Sequence, residues 1–505
     1  MLTVTDFFCG AGGSSQGMHC VPGVEVKIAA NHWDLAISSH AENFPAVQHD
    51  CADISQIDFR RYPRTDLLWA SPECTNHSIA RGIRTDADRQ PDLFGEILPD
   101  AAAVRSRATM WDVPRYLEAM ILRGKPVLGG VTENVVDVRN WILFDAWAQA
   151  IRALGYEMRI VYLNSMHLRP RFGTAKAPQS RDRAYIVYWL ASIGREPNWE
   201  KWLSPEAHCP DHGVIAAQQA FKGAEWGRYR AQYLYVCPVT GCGKTVEPAV
   251  LPAAAAIDWN VLGTRVGDRS RPLAEKTLQR IQAGLDRYAG RPMAVPMEGR
   301  EGKKPWALDE APMRTITTRN ETGIAYAPEF LPFIAEMRGG GSEKKARGVD
   351  EPLATFTASG THHALVTPPM LVPVGGTWND TAQPVSEPMR TRTTRETDAL
   401  LVPYYGKGQA KPVTDPMGTV TTVDRHALVT TEPTPAIDIN DCLLRMLNPD
   451  EIGRGMAFAD DYTVLGNRRE QVRQYGNAVT PPAAEVLVSA LAEAIYGEDL
   501  LNLTA

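Results

Sequence analysis

Near its N-terminus the chain reads Thr3-Val-Thr-Asp-Phe-Phe-Cys-Gly-Ala-Gly-Gly-Ser-Ser15, and this stretch decides the fold class. Residues 3–8 have the composition of a buried strand, and the glycines that follow predict a tight turn into a helix. Glycines let a backbone approach a ligand closely, and a helix N-terminus offers free N–H groups. The turn is therefore a candidate ligand site, although a purely structural turn would look the same.

Further strands and helices alternate along the first third of the chain. Strands are predicted at residues 25–30, 66–71, 126–132 and 183–189, and helices at residues 110–123 and 140–153. Such alternation predicts an α/β fold with a mostly parallel, doubly wound sheet that is covered on both faces. We assign this domain to residues 1–195 and expect residues 439–505, which end in a helix at 481–496, to complete it.

The middle of the chain has a different amino-acid composition. Residues 251–438 are rich in Pro, Gly and Thr and carry four versions of one phrase, at residues 312–318, 352–358, 388–394 and 416–422. Thr alternates with apolar residues in these phrases, which favours β-structure, while their uneven spacing argues against a regular solenoid. We predict an inserted β-rich region built from repeated arms.

Composition excludes several classes of protein. The 505 residues suggest about three domains, and 44% apolar with 22% charged residues is typical of a globular protein. A net charge of −6 argues against a surface coated in phosphate-binding cations, but a locally basic face could still bind nucleic acid. No apolar run approaches the roughly 18 residues of a membrane span, and no secretory signal is visible. Eight cysteines are too few for a disulfide scaffold, so we expect a cytoplasmic protein with catalytic or metal-binding thiols.

Two pairs of candidate metal ligands lie in residues 196–250. Cys209-Pro-Asp-His212 is a C-x2-H pair and Cys237-Pro-Val-Thr-Gly-Cys242 is a C-x4-C pair. Two close pairs of this kind suit a tetrahedral structural zinc site, so we predict a zinc-binding module of the ribbon type. His208 is an alternative ligand. A small hairpin with surface thiols, clustered by chance, is the alternative interpretation.

Chemically useful residues follow the predicted strands at the edge where nucleotide-like ligands bind in doubly wound sheets. They are His32 and Trp33 after the second strand, Asp53 and Ile54 near the third, Cys74 after the fourth, Glu133 at the end of the next, and Arg181 with Arg183 before the last. Individually they could be a surface thiol, a capping carboxylate and solvated arginines. Their order and shared location favour a catalytic site.

These motifs resemble, over the length of the chain, those of the DNA cytosine-5 methyltransferase family of the prokaryotic or phage type. The matching stretches are residues 6–13, Glu133-Asn-Val135, Gln179-Ser-Arg-Asp-Arg183, residues 445–458 and Gln474-Tyr-Gly-Asn-Ala-Val-Thr-Pro-Pro482. The resemblance implies a Rossmann-like S-adenosylmethionine-dependent methyltransferase that acts on double-stranded DNA. It also implies that residues 251–438 form the target-recognition region, and we expect the protein to be monomeric.

The resemblance further implies a role for each matched residue. Cys74 would attack carbon 6 of a flipped-out cytosine, Glu133 would contact ring nitrogen 3, and Arg181 would contact the carbonyl oxygen. Residues 75–107 would form a mobile loop over the base. The cofactor would be bound by Phe8, Gly10, Gly12, His32, Trp33, Asp53, Ile54, Pro72, Asn477 and Val479.

Two departures from the family pattern keep other functions open. Glu73 stands where the family has the second proline of Pro-Pro-Cys-Gln, and His32 stands where it commonly has a glutamate that binds the cofactor ribose. A carboxylate beside the nucleophile would hinder thiolate formation, so we expect Glu73 to pair with an arginine such as Arg81, Arg181 or Arg183. The alternatives are a catalytically altered or inactive DNA-binding homologue and an RNA cytosine-5 methyltransferase.

Overall fold

A computed structural model describes residues 1–73, 109–258, 261, 264–273, 275, 278–279, 281 and 439–502, and the backbone of short strands between residues 293 and 430. Within residues 1–73 and 109–190 the structure contains seven strands and four α-helices. In chain order these are β1 (Leu2–Phe7), α1 (Gly13–His19), β2 (Val24–Asn31), α2 (Asp34–Asn43), β3 (Gln48–Cys51), β4 (Leu67–Ala70), α3 (Asp112–Leu122), β5 (Gly129–Asn134), α4 (Phe144–Ala153), β6 (Tyr156–Asn164) and β7 (Asp182–Leu190).

The seven strands form one sheet in the order β3-β2-β1-β4-β5-β7-β6. The first five strands are parallel, and β7 runs antiparallel to both β5 and β6. Successive side chains of β4 show that the sheet is buried on both faces. Leu67 and Trp69 belong to one buried apolar cluster, while Leu68 and Ala70 belong to the other. The predicted α/β fold with a large, mostly parallel sheet is confirmed.

The C-terminal segment packs against the N-terminal helix. It contains α6 (Pro449–Gly455), α7 (Arg468–Asn477) and α8 (Pro481–Tyr496), numbered after α5, which is introduced below. Small residues allow α1 and α8 to approach closely, because a Cβ at Gly17 would lie 2.9 Å from both Ala484 Cβ and Glu485 N. The chain therefore returns to the sheet after the long insertion.

A small β-structure follows the sheet. Helix α5 (Trp199–Leu203) leads into a hairpin of β8 (Glu206–Cys209) and β9 (Gly213–Ala216), and then into a three-stranded sheet of β10 (Gln218–Phe221), β11 (Tyr233–Val236) and β12 (Thr245–Val246). We call residues 206–248 the cysteine module. Its buried Tyr233, Tyr235 and Cys237 share one apolar cluster with Ile186 and Tyr188 of β7. The module is thus packed onto the sheet domain rather than separated from it by a linker.

The region between residues 251 and 446 contains short strands. They are β13 (Thr264–Arg265), β14 (Met293–Val295), β15 (Trp306–Ala307), β16 (Ile316–Thr318), β17 (Phe333–Glu336), β18 (Ala346–Gly348), β19 (Thr355–Ala358), β20 (His363–Val366), β21 (Ala399–Pro403), β22 (Lys411–Pro412), β23 (His426–Thr430) and β24 (Leu443–Met446). Strands β16 and β19 fall in the first two copies of the repeated phrase and pair in parallel. The copies at 388–394 and 416–422 lie outside the described residues.

Among the described residues, the segment Arg468–Tyr496, which contains α7 and α8, is long and apolar enough by composition to cross a membrane. However, 89% of its apolar window is buried inside the protein, which is the environment of a core helix. The segment is apolar because it is buried in the core of the α/β domain.

Candidate active site

The glycine-rich turn between β1 and α1 has an unusual backbone. Phe8, Gly10 and Gly12 all have positive φ angles, of 58°, 54° and 96°. A Cβ at Gly12 would overlap Tyr462, whereas among the described residues no atom lies within 4 Å of the Cβ position of Gly10. The turn is therefore closely packed on one side and open on the other, as a backbone that receives a ligand must be.

A buried polar network lies under this turn. The carboxylate of Asp6 accepts hydrogen bonds from Ser14 Oγ at 2.6 Å and from Ser15 Oγ at 2.7 Å, and Ser15 Oγ also lies 2.9 Å from His40 Nε2. Burial raises the pKa of Asp6 to about 7, although the two serine hydroxyls act in the opposite direction. These bonds fix the first turn of α1 relative to β1.

The predicted cofactor residues of β2 and β3 lie at the same edge of the sheet. Trp33 N donates to Asn31 Oδ1 at 2.9 Å, and the Trp33 ring is covered on one face by the guanidinium of Arg473, 4.4 Å from the ring centroid. His32 is exposed. Asp53 is also exposed and caps the short helix Ile54–Gln56 by accepting from Ser55 N at 3.1 Å, while Ile54 is buried.

The last sequence motif approaches the glycine turn from α7 and α8. Val479 is buried, and its carbonyl oxygen lies against Gly13, where an added Cβ would overlap it. Asn477 is exposed at the end of α7. Because an aromatic ring, exposed polar side chains and an open glycine turn meet at these strand ends, the described residues fit a ligand that carries an adenosine group.

A second set of residues lies where β4 and β5 end. Asn134 Nδ2 donates to the carbonyl oxygen of Pro72 at 3.3 Å, so the segment that precedes residue 74 is attached to the end of β5. Glu133 forms an ion pair with Arg183, with 2.9 Å between Glu133 Oε1 and Arg183 Nε. Both side chains are only 11% exposed. Cys74, the predicted nucleophile, and the predicted loop at 75–107 lie outside the described residues.

Arg181, two residues before Arg183, forms hydrogen bonds with the backbone of the last sequence motif, residues 474–482. Its Nη2 donates to the carbonyl oxygens of Ala478 at 2.9 Å and Gly476 at 3.4 Å, and its backbone N donates to Asn164 Oδ1 at 3.0 Å. The buried guanidinium thus joins the β6–β7 connection to the end of α7 and the connection that follows it. The contact between Arg181 and a cytosine stays a prediction.

Sequence reasoning did not identify Arg183 as the partner of Glu133. In the antiparallel register Glu133 lies opposite Tyr185, so Arg183 is its diagonal neighbour two residues away. Such a neighbour can be recognised only after the direction and register of β7 are known. Glu73 is exposed at the end of the described segment, and its pairing with an arginine stays a prediction.

Four of the five cysteine and histidine residues of the cysteine module converge. The ligand atoms of Cys209, His212, Cys237 and Cys242 all lie within 4.8 Å of one another. Cys209 Sγ lies 3.8 Å from Cys242 Sγ, and His212 Nδ1 lies 3.5 Å from both Cys209 Sγ and Cys237 Sγ. Zn–S and Zn–N bonds of about 2.3 and 2.05 Å in a tetrahedron require separations of about 3.8 and 3.5 Å. Three of the six donor separations therefore match those of a tetrahedral zinc site.

Comparison with known proteins gives one family. The family described as C-5 cytosine-specific DNA methylase matches residues 2–100 and 363–493. These ranges include the glycine turn, Cys74 and the last two sequence motifs, whereas Glu133 and Arg181 lie between them. No curated protein matches the sequence.

Several solved structures resemble the chain at low sequence identity. A methyltransferase of Entamoeba histolytica is 12% identical, with a TM-score of 0.45 and 98% of each chain covered. A putative DNA modification methyltransferase encoded within a prophage of E. coli is 14% identical, with a TM-score of 0.44, and covers 99% of this chain and 100% of its own. The Dnmt2 methyltransferase of S. pombe is 12% identical, with a TM-score of 0.44, and covers 97% of this chain and 98% of its own.

Proposed function

We propose that the protein methylates carbon 5 of a cytosine within a specific duplex DNA sequence, with S-adenosylmethionine as the methyl donor, because residues 2–100 and 363–493 match the family of C-5 cytosine-specific DNA methylases. The observation that carries this proposal is the Glu133–Arg183 pair beside Pro72, at the strand ends that also hold the glycine turn. In this proposal residues 251–438 recognise the DNA sequence, and the enzyme acts as a cytoplasmic monomer.

The proposed reaction begins with a covalent step. The target base is flipped out of the stack, at a cost of a few kcal/mol, and the Cys74 thiolate attacks its carbon 6. In its protonated form Glu133 donates a hydrogen bond to ring nitrogen 3 and so stabilises the charge that the attack places on the ring. Carbon 5 then accepts the methyl group. Water then takes the proton from carbon 5, the bond between carbon 6 and sulfur breaks, and Cys74 leaves as a thiolate, which restores the aromatic ring.

The described residues give Arg183 a clear part in this scheme. Its Nε holds one oxygen of Glu133, which leaves the other oxygen of the carboxyl group able to carry the proton and to face a base. An arginine–carboxylate pair of this kind is geometrically specific. S-adenosylmethionine would supply the methyl group from the site that Gly10, Trp33 and Asp53 outline.

We propose separately that the cysteine module holds one structural zinc ion through Cys209, His212, Cys237 and Cys242. The donor separations support this assignment, because they match a tetrahedral set of zinc ligands. Metal analysis of the purified protein should return about one zinc per chain. Cys237→Ser should lower the zinc content and the yield of folded protein, whereas Cys20→Ser, outside the cluster, should change neither. A fully folded, metal-free preparation would contradict the assignment.

A substrate comparison tests the reaction itself. Purified protein is incubated with labelled S-adenosylmethionine and either duplex DNA of mixed sequence or transfer RNA. We expect label in the duplex DNA only. Label in transfer RNA alone would favour an RNA cytosine-5 methyltransferase, and DNA binding with no transfer to either substrate would favour a non-catalytic DNA-binding homologue.

A further inference from the structure

One turn of the cysteine module contacts the sheet domain beside the Glu133–Arg183 pair. The side chain of Arg228 forms an ion pair with Asp137 through its Nη2. The next residue, Tyr229, donates its backbone N–H to Asp182 Oδ1 at 3.1 Å. These two adjacent residues of the module therefore reach two separate segments of the sheet domain.

The two acidic partners, Asp137 and Asp182, lie close in sequence to Glu133 and Arg183, respectively. Asp137 lies four residues after Glu133, in the short helix Val136–Asn140 that follows β5. Asp182 immediately precedes Arg183, whose Nη1 donates to the carbonyl oxygen of Asp182 at 2.9 Å. A shift of the turn would therefore be transmitted to the backbone on both sides of the ion pair.

The turn itself is firmly held. Arg228 N donates to Gln232 Oε1 at 2.8 Å, and Gln232 N returns a hydrogen bond to Arg228 O at 2.9 Å. Gly227 has a φ of 122°, and a side chain there would overlap Gln232. The turn is thus a rigid support for Arg228, not a loose surface loop.

Strand β11 connects this turn to the metal ligands. The strand begins at Tyr233, at the end of the turn, and stops one residue before Cys237. Tyr229 and Tyr235 both pack edge-to-face against the buried ring of His167, with centroids 4.3 and 5.1 Å from its centroid. Fixing Cys237 in a metal site would therefore fix the strand, the ring cluster and the turn together.

We propose that Arg228 and Asp182 are positioning residues, through which the metal-occupied cysteine module holds the Glu133–Arg183 pair in its working geometry. The inference rests on the proposed function for its kinetic consequence, but the mechanical coupling can be measured without it. Arg230 provides the matched comparison, because it lies in the same turn but pairs with Glu247 inside the module.

The kinetic test compares Arg228→Ala with Arg230→Ala in the full-length, metal-loaded enzyme. A misplaced catalytic group can cost on the order of a hundredfold in rate, so we expect Arg228→Ala to lower kcat by roughly tenfold to a hundredfold. The KM for DNA should stay unchanged, and Arg228→Lys, which keeps the charge, should recover part of the rate. Arg230→Ala should keep the wild-type kcat. Equal losses in the two alanine variants, or no loss in either, would overturn the proposal.

Hydrogen exchange gives a readout that does not depend on turnover. We expect removal of the metal by a chelator to increase amide exchange at residues 129–140 of the wild-type protein. Arg228→Ala should show the same increase with the metal present, and Arg230→Ala should not. If exchange at residues 129–140 ignores both the metal and Arg228, the coupling is refuted. If the exchange results hold but no methyl transfer is found, the proposed function fails and the coupling stands.

Discussion

The close contact between α1 and α8 predicts that Gly17→Ala lowers the free energy of unfolding. Two opposing contributions, helix propensity and overpacking, decide the sign. Gly17 lies inside α1 with ordinary helical geometry, so helix propensity alone would favour Gly17→Ala by about 1 kcal/mol. Against this, the new Cβ would lie 2.9 Å from Ala484 Cβ and from Glu485 N, and closer still to the carbonyl oxygen of Pro481. Overpacking of this kind costs about 1–3 kcal/mol, and backbone atoms cannot rotate away. Because the contact with the carbonyl oxygen of Pro481 would be the shortest of the three, we take the upper end of that cost and expect a net loss of about 2 kcal/mol.

Urea unfolding of the wild type, Gly17→Ala, Ala484→Gly and the double variant measures this loss. The double variant relieves the contact with the Ala484 side chain but leaves the two backbone contacts, so we expect only partial rescue relative to Ala484→Gly. Unchanged or increased stability of Gly17→Ala would refute the packing argument. Complete rescue would also contradict it, because the backbone contacts would then carry no cost.

Three further predictions concern Gly13, Asp6 and His167. Gly13→Ala should displace the Val479 carbonyl and weaken S-adenosylmethionine binding by about 1 kcal/mol or more, while calorimetry showing wild-type affinity would contradict this. Because the pKa of Asp6 is raised to about 7, the folded protein binds a proton that the unfolded chain has released, and stability should fall as pH rises from about 4 to 7, by on the order of 4 kcal/mol. Asp6→Asn should remove that fall, and parallel stability–pH curves for variant and wild type would be evidence against it. Burial lowers the pKa of His167 to about 3, so its contribution to stability should be lost as pH falls below about 6.5, and His167→Gln should show a smaller acid-induced drop in urea midpoint than the wild type.

Strong local signals explain which parts of the fold were predictable. Helix α8 was predicted with its observed bounds, because Pro481 suits a first helical turn and Gly497 adopts the left-handed conformation that ends a helix. Strand β4 was predicted because its four residues are apolar and buried on both faces. Strand β6 was not predicted. It is an edge strand whose first half alternates between exposed and partly buried residues, and it pairs only with β7.

The candidate site was predictable as a set of strand ends but not as a set of contacts. Motif order placed Glu133 and Arg183 near each other, whereas their ion pair depends on the antiparallel direction of β7, which no local pattern encodes. The ion pair of Arg228 with Asp137 joins residues 91 positions apart, so it arises from tertiary packing alone. The four metal ligands, in contrast, could be predicted from the sequence, because the close spacing within each pair is a local signal.

Mass spectrometry of nucleosides from duplex DNA treated with the protein and S-adenosylmethionine tests the central claim most directly. We expect 5-methylcytosine from the wild type and from Cys9→Ala, and none from Cys74→Ser, because a hydroxyl is a far weaker nucleophile than a thiolate. Glu133→Gln should form the same product about 10²–10⁴ times more slowly. A modified base other than 5-methylcytosine, or wild-type yields of it from Cys74→Ser, would contradict the account.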